Sequence, residues 1–343
     1  MAPLTQDDTV TGALERAGIP AAGIAGHAPL QGGTYNAMHR VELTDGAVLV
    51  LKIPPPSRVP KLGYERELLR GEARFYEGAA AVGVPAPRVV HAEYDDGSEQ
   101  AVPFLLMTHC PGVTWRAAGQ AAERDGAQAA EGVGEAESAR LWRETGGLLA
   151  RLHAVRGPAF GYPAQTIAPL GSRWRPAFTA MTDAVLDDAE RYEPWLPFPV
   201  AEIRAALATA APVLDEVTEP ALVHFDLWPG NIMLHGPAGA RTVSGLIDGE
   251  RMFWGDPLAD FASLSIGRDD IERDSAFLAG YGAGGGRTDF DAAARRRIAL
   301  YRCYLFLIML VEVVPRGTAG EHLAWVRQYT GPRLAAALRA SAG

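Results

Sequence analysis

The amino-acid sequence predicts a two-lobed α+β fold: an N-terminal antiparallel sheet plus helix, then a mainly helical C-terminal lobe. Three observations predict it. Residues 26–53 read as short apolar runs separated by Gly- and Asp-bearing turns, the pattern of antiparallel strands. After residue 138 apolar residues recur at helical spacing, as in Leu141, Leu148, Leu149 and Leu152. Between these regions Pro111-Gly112 breaks the chain. The expected division is an N-terminal lobe over 1–108, a hinge over 109–112 and a C-terminal lobe over 113–343.

Taken in order, residues 1–20 read as a short amphipathic helix ending near Gly18 and Pro20. A first strand over 26–30 leads to the turn Gln31-Gly32-Gly33-Thr34-Tyr35-Asn36. A second strand over 38–43 is joined to a third over 47–53 by Thr44-Asp45-Gly46. A Pro-rich turn at 54–56 precedes a helix expected over 61–82, which Gly83 to Pro87 ends. Residues 88–92 and 103–107 read as strands four and five. Residues 117–138 are Ala-, Gly- and Glu-rich without periodicity and read as a mobile insertion or weak helix. A helix over 138–155 has Ser138 as its expected cap. Residues 172–216 read as helical and acidic, and 257–343 as mostly helical, with Glu312 near the end of an apolar helix over 295–314.

Composition excludes several classes. A net charge of −9 and a pI near 5.4 argue against a nucleic-acid partner, which calls for a basic face. Two cysteines, Cys110 and Cys303, make neither a disulfide framework nor a zinc site, and a reducing cytoplasm is the expected compartment. The longest apolar run, 303–311, falls short of the roughly 20 residues of a membrane span. Of 32 basic residues only Lys52 and Lys61 are lysine. Lys52 closes the apolar run Val-Leu-Val-Leu-Lys-Ile, so it is not a generic surface cation.

The chemistry concentrates in residues 221–260. Apolar runs at 221–223 and 232–234 flank a polar turn bearing His224, Asp226 and Asn231, and a third run at 243–247 delivers Asp248. Hard oxygen ligands of this kind suit Mg²⁺ and a phosphate. The order His-x-Asp-x-x-x-x-Asn, then an Asp on the next strand, is that of phosphoryl transfer. Gly32 and Gly33, lacking Cβ atoms, let backbone N–H groups approach phosphate oxygens, with Thr34 beside them. Glu65, Glu67, Glu72 and Glu77 are all placed to pair with Lys52, and spacing does not choose among them. An exposed backbone around Thr108 and Cys110 would receive a base. The acidic residues from Asp183 to Glu193, Asp187 and Asp188 among them, read either as a rim for a cationic substrate or as a solvated helix face.

These motifs together resemble the aminoglycoside phosphotransferase family, the protein-kinase-like small-molecule kinases whose relatives include choline and fructosamine kinases. The resemblance covers Gly32 to Asn36, Lys52, Val84 to Arg88, Pro103 to Met107, Pro111-Gly112, Leu148 to His153, and residues 221–260. It implies Asp226 as the catalytic aspartate, Asn231 and Asp248 as metal ligands, Glu72 as the partner of Lys52, and Asp260 as a brace for the catalytic loop, with His224 supporting it. It implies ATP or GTP and Mg²⁺ as cofactors. The implied acceptor is a small-molecule hydroxyl, foremost on an aminated substrate such as an aminoglycoside-type antibiotic, with Asp187, Asp188 and Glu312 as candidate substrate contacts. A metabolic kinase for a sugar, choline-like alcohol or glycated amine is the second reading, and a nucleotide-binding pseudokinase the third. Two departures stand out: Phe225 where glycine is commonest, and Gly249-Glu250 after Asp248 where an aromatic is common.

Overall fold

The computed structural model describes residues 6–30, 35–95, 102–124, 132–268 and 270–342. Gly32, Gly33 and Thr34 therefore lie outside the described residues.

Helix α1 (Gln6–Arg16) precedes β1 (Ile24–Pro29), β2 (Ala37–Leu43) and β3 (Val48–Ile53). Helix α2 (Leu68–Ala81) is followed by β4 (Val89–Glu93) and β5 (Phe104–Thr108). The five strands form one antiparallel sheet in the order β1-β2-β3-β5-β4. Strand β3 is central, so both its faces are covered. Alternation sends Leu49 and Leu51 to one face, where they meet Val10, Ala13 and Leu14 of α1. Val50 goes to the other face and joins the main core with Leu105, Met107 and residues of α2. Lys52, two residues beyond Val50, shares that second face, which is why a lysine on a buried strand reaches the cleft.

The helix expected over 61–82 begins late. Glu67 lies in the left-handed region at φ 61°, and residues 63–65 make a separate 3₁₀ turn in which the Glu65 side chain accepts from Leu62 N at 2.7 Å. The Glu65 contact opens this short turn as a capping box, and the left-handed backbone at Glu67 separates the turn from α2.

The second part opens with β6 (Val113–Thr114), α3 (Trp115–Arg124) and α4 (Glu135–His153). Residues 115–124 are thus a regular helix, and 125–131 lie outside the described residues. Ser138 is not the cap of α4: its N–H already donates to Gly134 O, inside the first turn. Gly112 joins β5 to β6 at φ 103°, and a Cβ there would sit 1.9 Å from Leu234 O, so only glycine fits.

Helices α5 (Trp174–Tyr192) and α6 (Val200–Ala210) lead to β7 (Ala221–Val223), β8 (Ile232–His235), β9 (Thr242–Leu246) and β10 (Phe253–Gly255). Strand β8 pairs with β6 and β9, whereas β7 pairs with β10. The chain ends in α7 (Asp260–Leu264), α8 (Ser275–Ala283), α9 (Ala292–Val311) and α10 (Gly320–Ala342). The apolar helix α9 is buried along most of its length, and Glu312 is its C-cap. Among the described residues no helix is long and apolar enough to cross a membrane.

Candidate active site

Lys52 organises the site. Its Nζ lies 2.7 Å from carboxylate oxygens of Glu72, Asp248 and Glu250. Burial by itself would lower the lysine pKa, but Asp248, Glu250 and Glu72 outweigh it and hold the ammonium well above its ordinary value. Of the four glutamates the sequence left open, the structure selects Glu72. Glu65 turns instead to Arg316, Glu67 to Arg70 and Glu77 to Arg74.

Two residues not singled out as site residues complete this cluster. Tyr76 stands one turn after Glu72, so the two share a face of α2. Its hydroxyl donates to Glu72 Oε1 at 2.6 Å and accepts from Asp248 N at 3.2 Å. Glu250 reaches Lys52 because Asp248 is left-handed (φ 62°) and a 3₁₀ turn follows it. Asn36 Nδ2 donates to the same Glu250 oxygen at 3.0 Å. The signal for Tyr76 is the i, i+4 spacing; Glu250 is two residues from Asp248 with no periodic signal. Gly249 is required between them, since a Cβ would meet the Phe75 ring at 2.3 Å.

The catalytic-loop candidates are fixed by backbone bonds. Asp260 accepts from His224 N at 3.0 Å and Phe225 N at 2.6 Å, and its Oδ2 contacts His153 Nε2 at 3.0 Å. The His153 ring continues to Tyr281 Oη at 2.7 Å. His224 is buried, which lowers its pKa and keeps the ring neutral. Its Nε2 donates to Ile247 O at 3.0 Å and its Nδ1 accepts from Asp226 N at 3.2 Å, which ties the loop to the strand carrying Asp248. Asn231 donates through Nδ2 to Asp226 O at 2.8 Å, leaving its amide oxygen for another partner. Burial pushes the Asp226 carboxyl up to about 7, against the nearby Arg251 guanidinium, whose Nε is 4.0 Å away.

Arg251 begins a buried chain of charges. It donates to Glu312 at 2.9 Å; Glu312 meets Arg316 at 3.0 Å; Arg316 meets Glu65 at 2.5 Å. Glu312 thus lies one residue from Asp226 along this chain. Asp187 and Asp188 have other partners. Asp187 pairs with Arg204, as do Asp183 and Glu190, and Asp188 accepts from Gly63 N at 2.6 Å.

At the end of β5, Thr108 N donates to Arg88 O and Thr108 Oγ1 accepts from Arg88 N, each at 2.9 Å. Cys110 is buried against Gly245, and burial pushes its thiol up to about 11.

Residues 27–301 match the model of the phosphotransferase enzyme family. The chain belongs to that family. Its fold is that of solved small-molecule kinases. A candidate fructosamine-3-kinase from Thermobifida fusca superposes with a TM-score of 0.63 at 21% identity, covering 96% of this chain and 98% of the other. A thermostable mutant of aminoglycoside phosphotransferase APH(4)-Ia, in ternary complex with AMP-PNP and hygromycin B, gives 0.63 at 17% identity, covering 97% and 98%. Macrolide 2'-phosphotransferase MphH from Brachybacterium faecium gives 0.58 at 18% identity, covering 95% and 98%. Among curated sequences, acyl-CoA dehydrogenase family member 10 of Mus musculus is 24% identical over 235 residues. This phosphotransferase spans only 19% of that relative's length.

Proposed function

We propose that this phosphotransferase moves the γ-phosphoryl group of ATP to a hydroxyl of a small polar acceptor. The observation that carries the reading is the convergence of Lys52, Glu72 and Asp248 at 2.7 Å, from a strand, a helix and the turn after β9. Lys52, oriented by Glu72, binds the α- and β-phosphates. Gly32, Gly33 and Thr34 cover them, and the backbone at Thr108 and Cys110 receives the base.

The residues present fit a hard divalent cation. Asn231 keeps its amide oxygen available, the Asp248 side chain is 40% exposed, and both donors are oxygen. Asn231 and Asp248 would hold Mg²⁺, with Glu250 beside them. When bound, the ion neutralises phosphate charge. Asp226 orients the acceptor hydroxyl and takes its proton as the new P–O bond forms and the bond to ADP breaks. Positioning matters more than basicity in a loose transition state. His224 and Asp260 hold the loop, and Arg251 holds the Asp226 carboxylate.

For the acceptor, an aminated molecule draws support from Glu312 and from the likeness to a kinase complexed with hygromycin B. That support is narrow. Glu312 is already paired with two arginines, and the acidic helix spends its carboxylates on Arg204 and Gly63.

Asp226→Asn is expected to retain Mg·ATP affinity by calorimetry while losing about 10²–10⁴-fold in turnover. Near-normal ADP release by the purified variant would remove Asp226 from the chemistry.

A further inference from the structure

A cavity of about 640 Å³ lies between the segment joining β3 to α2, the start of α2 and the end of α5. That volume suits a small molecule. Arg58, Lys61, Arg66 and Arg191 line it, and among the described residues none of them has a carboxylate within ion-pairing distance. The carboxylates of the same wall are engaged: Glu65 with Arg316 and Leu62 N, Glu67 with Arg70, and Asp95 with a partner of its own. Asp188, whose charge is felt by Arg66 and Arg191, accepts from Gly63 N. Two more lining groups, the hydroxyls of Tyr35 and Thr166, are buried without a hydrogen-bond partner. The second of the chain's two lysines thus has a setting as particular as the first.

The wall of this cavity is linked to the catalytic centre by two chains of contacts. Asn36 bonds Glu250, which meets Lys52. Glu65 starts the chain through Arg316, Glu312 and Arg251 that ends beside Asp226. A ligand lying here has its far end among cations that have no carboxylate partner among the described residues. An oxyanion suits them, because guanidinium and ammonium groups match carboxylate and phosphate oxygens. An ammonium group would meet four like charges.

We propose that this cavity receives the anionic end of the acceptor, so that the substrate is a hydroxyl compound carrying a carboxylate or a phosphate monoester. The assignment rests on the phosphotransfer reading above. ADP release is to be measured with Mg·ATP and matched acceptors: hydroxy acids against diols of equal length, sugar monophosphates against the parent sugars, and amino sugars as a third set. The charged member of one pair is expected to exceed its neutral partner by about tenfold in kcat/KM, the worth of one charge-assisted hydrogen bond. The Lys61→Ala/Arg191→Ala double variant is expected to erase that preference. The pair that shows it separates carboxylate from phosphate. Preferred turnover of neutral or amino members would leave phosphotransfer standing and overturn the pocket assignment alone. A second measurement needs no turnover. Lys52 is buried, so an amine reagent reports on Lys61 by mass spectrometry. Malate or inorganic phosphate is expected to slow its labelling in the wild type and not in Arg191→Ala, whereas glycerol is without effect. Labelling unchanged by both anions would overturn the proposal.

Discussion

Phe225 stands between His224 and Asp226 at φ 61°, a conformation that costs a side-chain-bearing residue about 1–2 kcal/mol. Glycine would remove that strain. Yet the Phe225 ring is fully buried, with its centroid 5.0 Å from Phe253 and 5.4 Å from Tyr304. Truncating a buried phenylalanine typically costs about 3–5 kcal/mol. Packing therefore outweighs strain, and the aromatic anchors the loop that Asp260 holds from below. Phe225→Gly is expected to lose about 1–4 kcal/mol of stability in urea unfolding, the difference between those two effects. A variant as stable as the wild type would show that strain dominates. Asp260 illustrates the same economy from the polar side: one carboxylate satisfies two loop N–H groups and a histidine, so the loop keeps its shape without a glycine.

At the scale of elements, β1 to β5 are legible in the sequence because each is short, apolar and bounded by turn residues. Lys52 is legible because lysine is rare here, and Asp226, Asn231 and Asp248 because their spacing is a single-loop property. What is not legible depends on contacts far apart in the chain. Strand β7 pairs with β10 thirty residues on, and no local pattern announces it. The separate turn before α2 is closed by Glu65, which also meets Arg316, 251 positions away. That pair joins the segment before α2 to the turn after α9. The Glu65 carboxylate is fully buried, and burial raises its pKa against the pull of Arg316. Removing one partner of a buried pair costs about 3–5 kcal/mol, because a charge is left without a counterion. Arg316→Met is therefore expected to lose about 3 kcal/mol, at the lower end because Arg316 is partly exposed. Glu65→Gln added to it is expected to restore most of the loss, since glutamine still accepts from Leu62 N. A double variant no more stable than Arg316→Met would show that the pair is not what fastens the segment.

At the scale of the molecule, the N-terminal sheet-and-helix part and the mostly helical C-terminal part meet through charge. Glu72 comes from the N-terminal sheet-and-helix part, Asp248 and Glu250 from the mostly helical C-terminal part, and the Lys52 ammonium lies between all three. The same three carboxylates lie close enough together to hold a divalent cation instead. Without the ammonium, three carboxylates within 4.8 Å would repel one another across the cleft. They would then separate, protonate or bind a cation. Lys52→Met is accordingly expected to unfold several degrees below the wild type in EDTA, because a buried charge cluster loses its counterion. Millimolar Mg²⁺ or Mn²⁺ without nucleotide is expected to recover much of that loss in the variant, by binding the folded state alone. The wild type, whose ammonium already fills the cluster, is expected to respond far less to the ion by itself. Thermal unfolding of both proteins with and without the ion decides it. An equal response in the two would mean that the ammonium and the metal do not compete, and that the cation site lies elsewhere in the cleft.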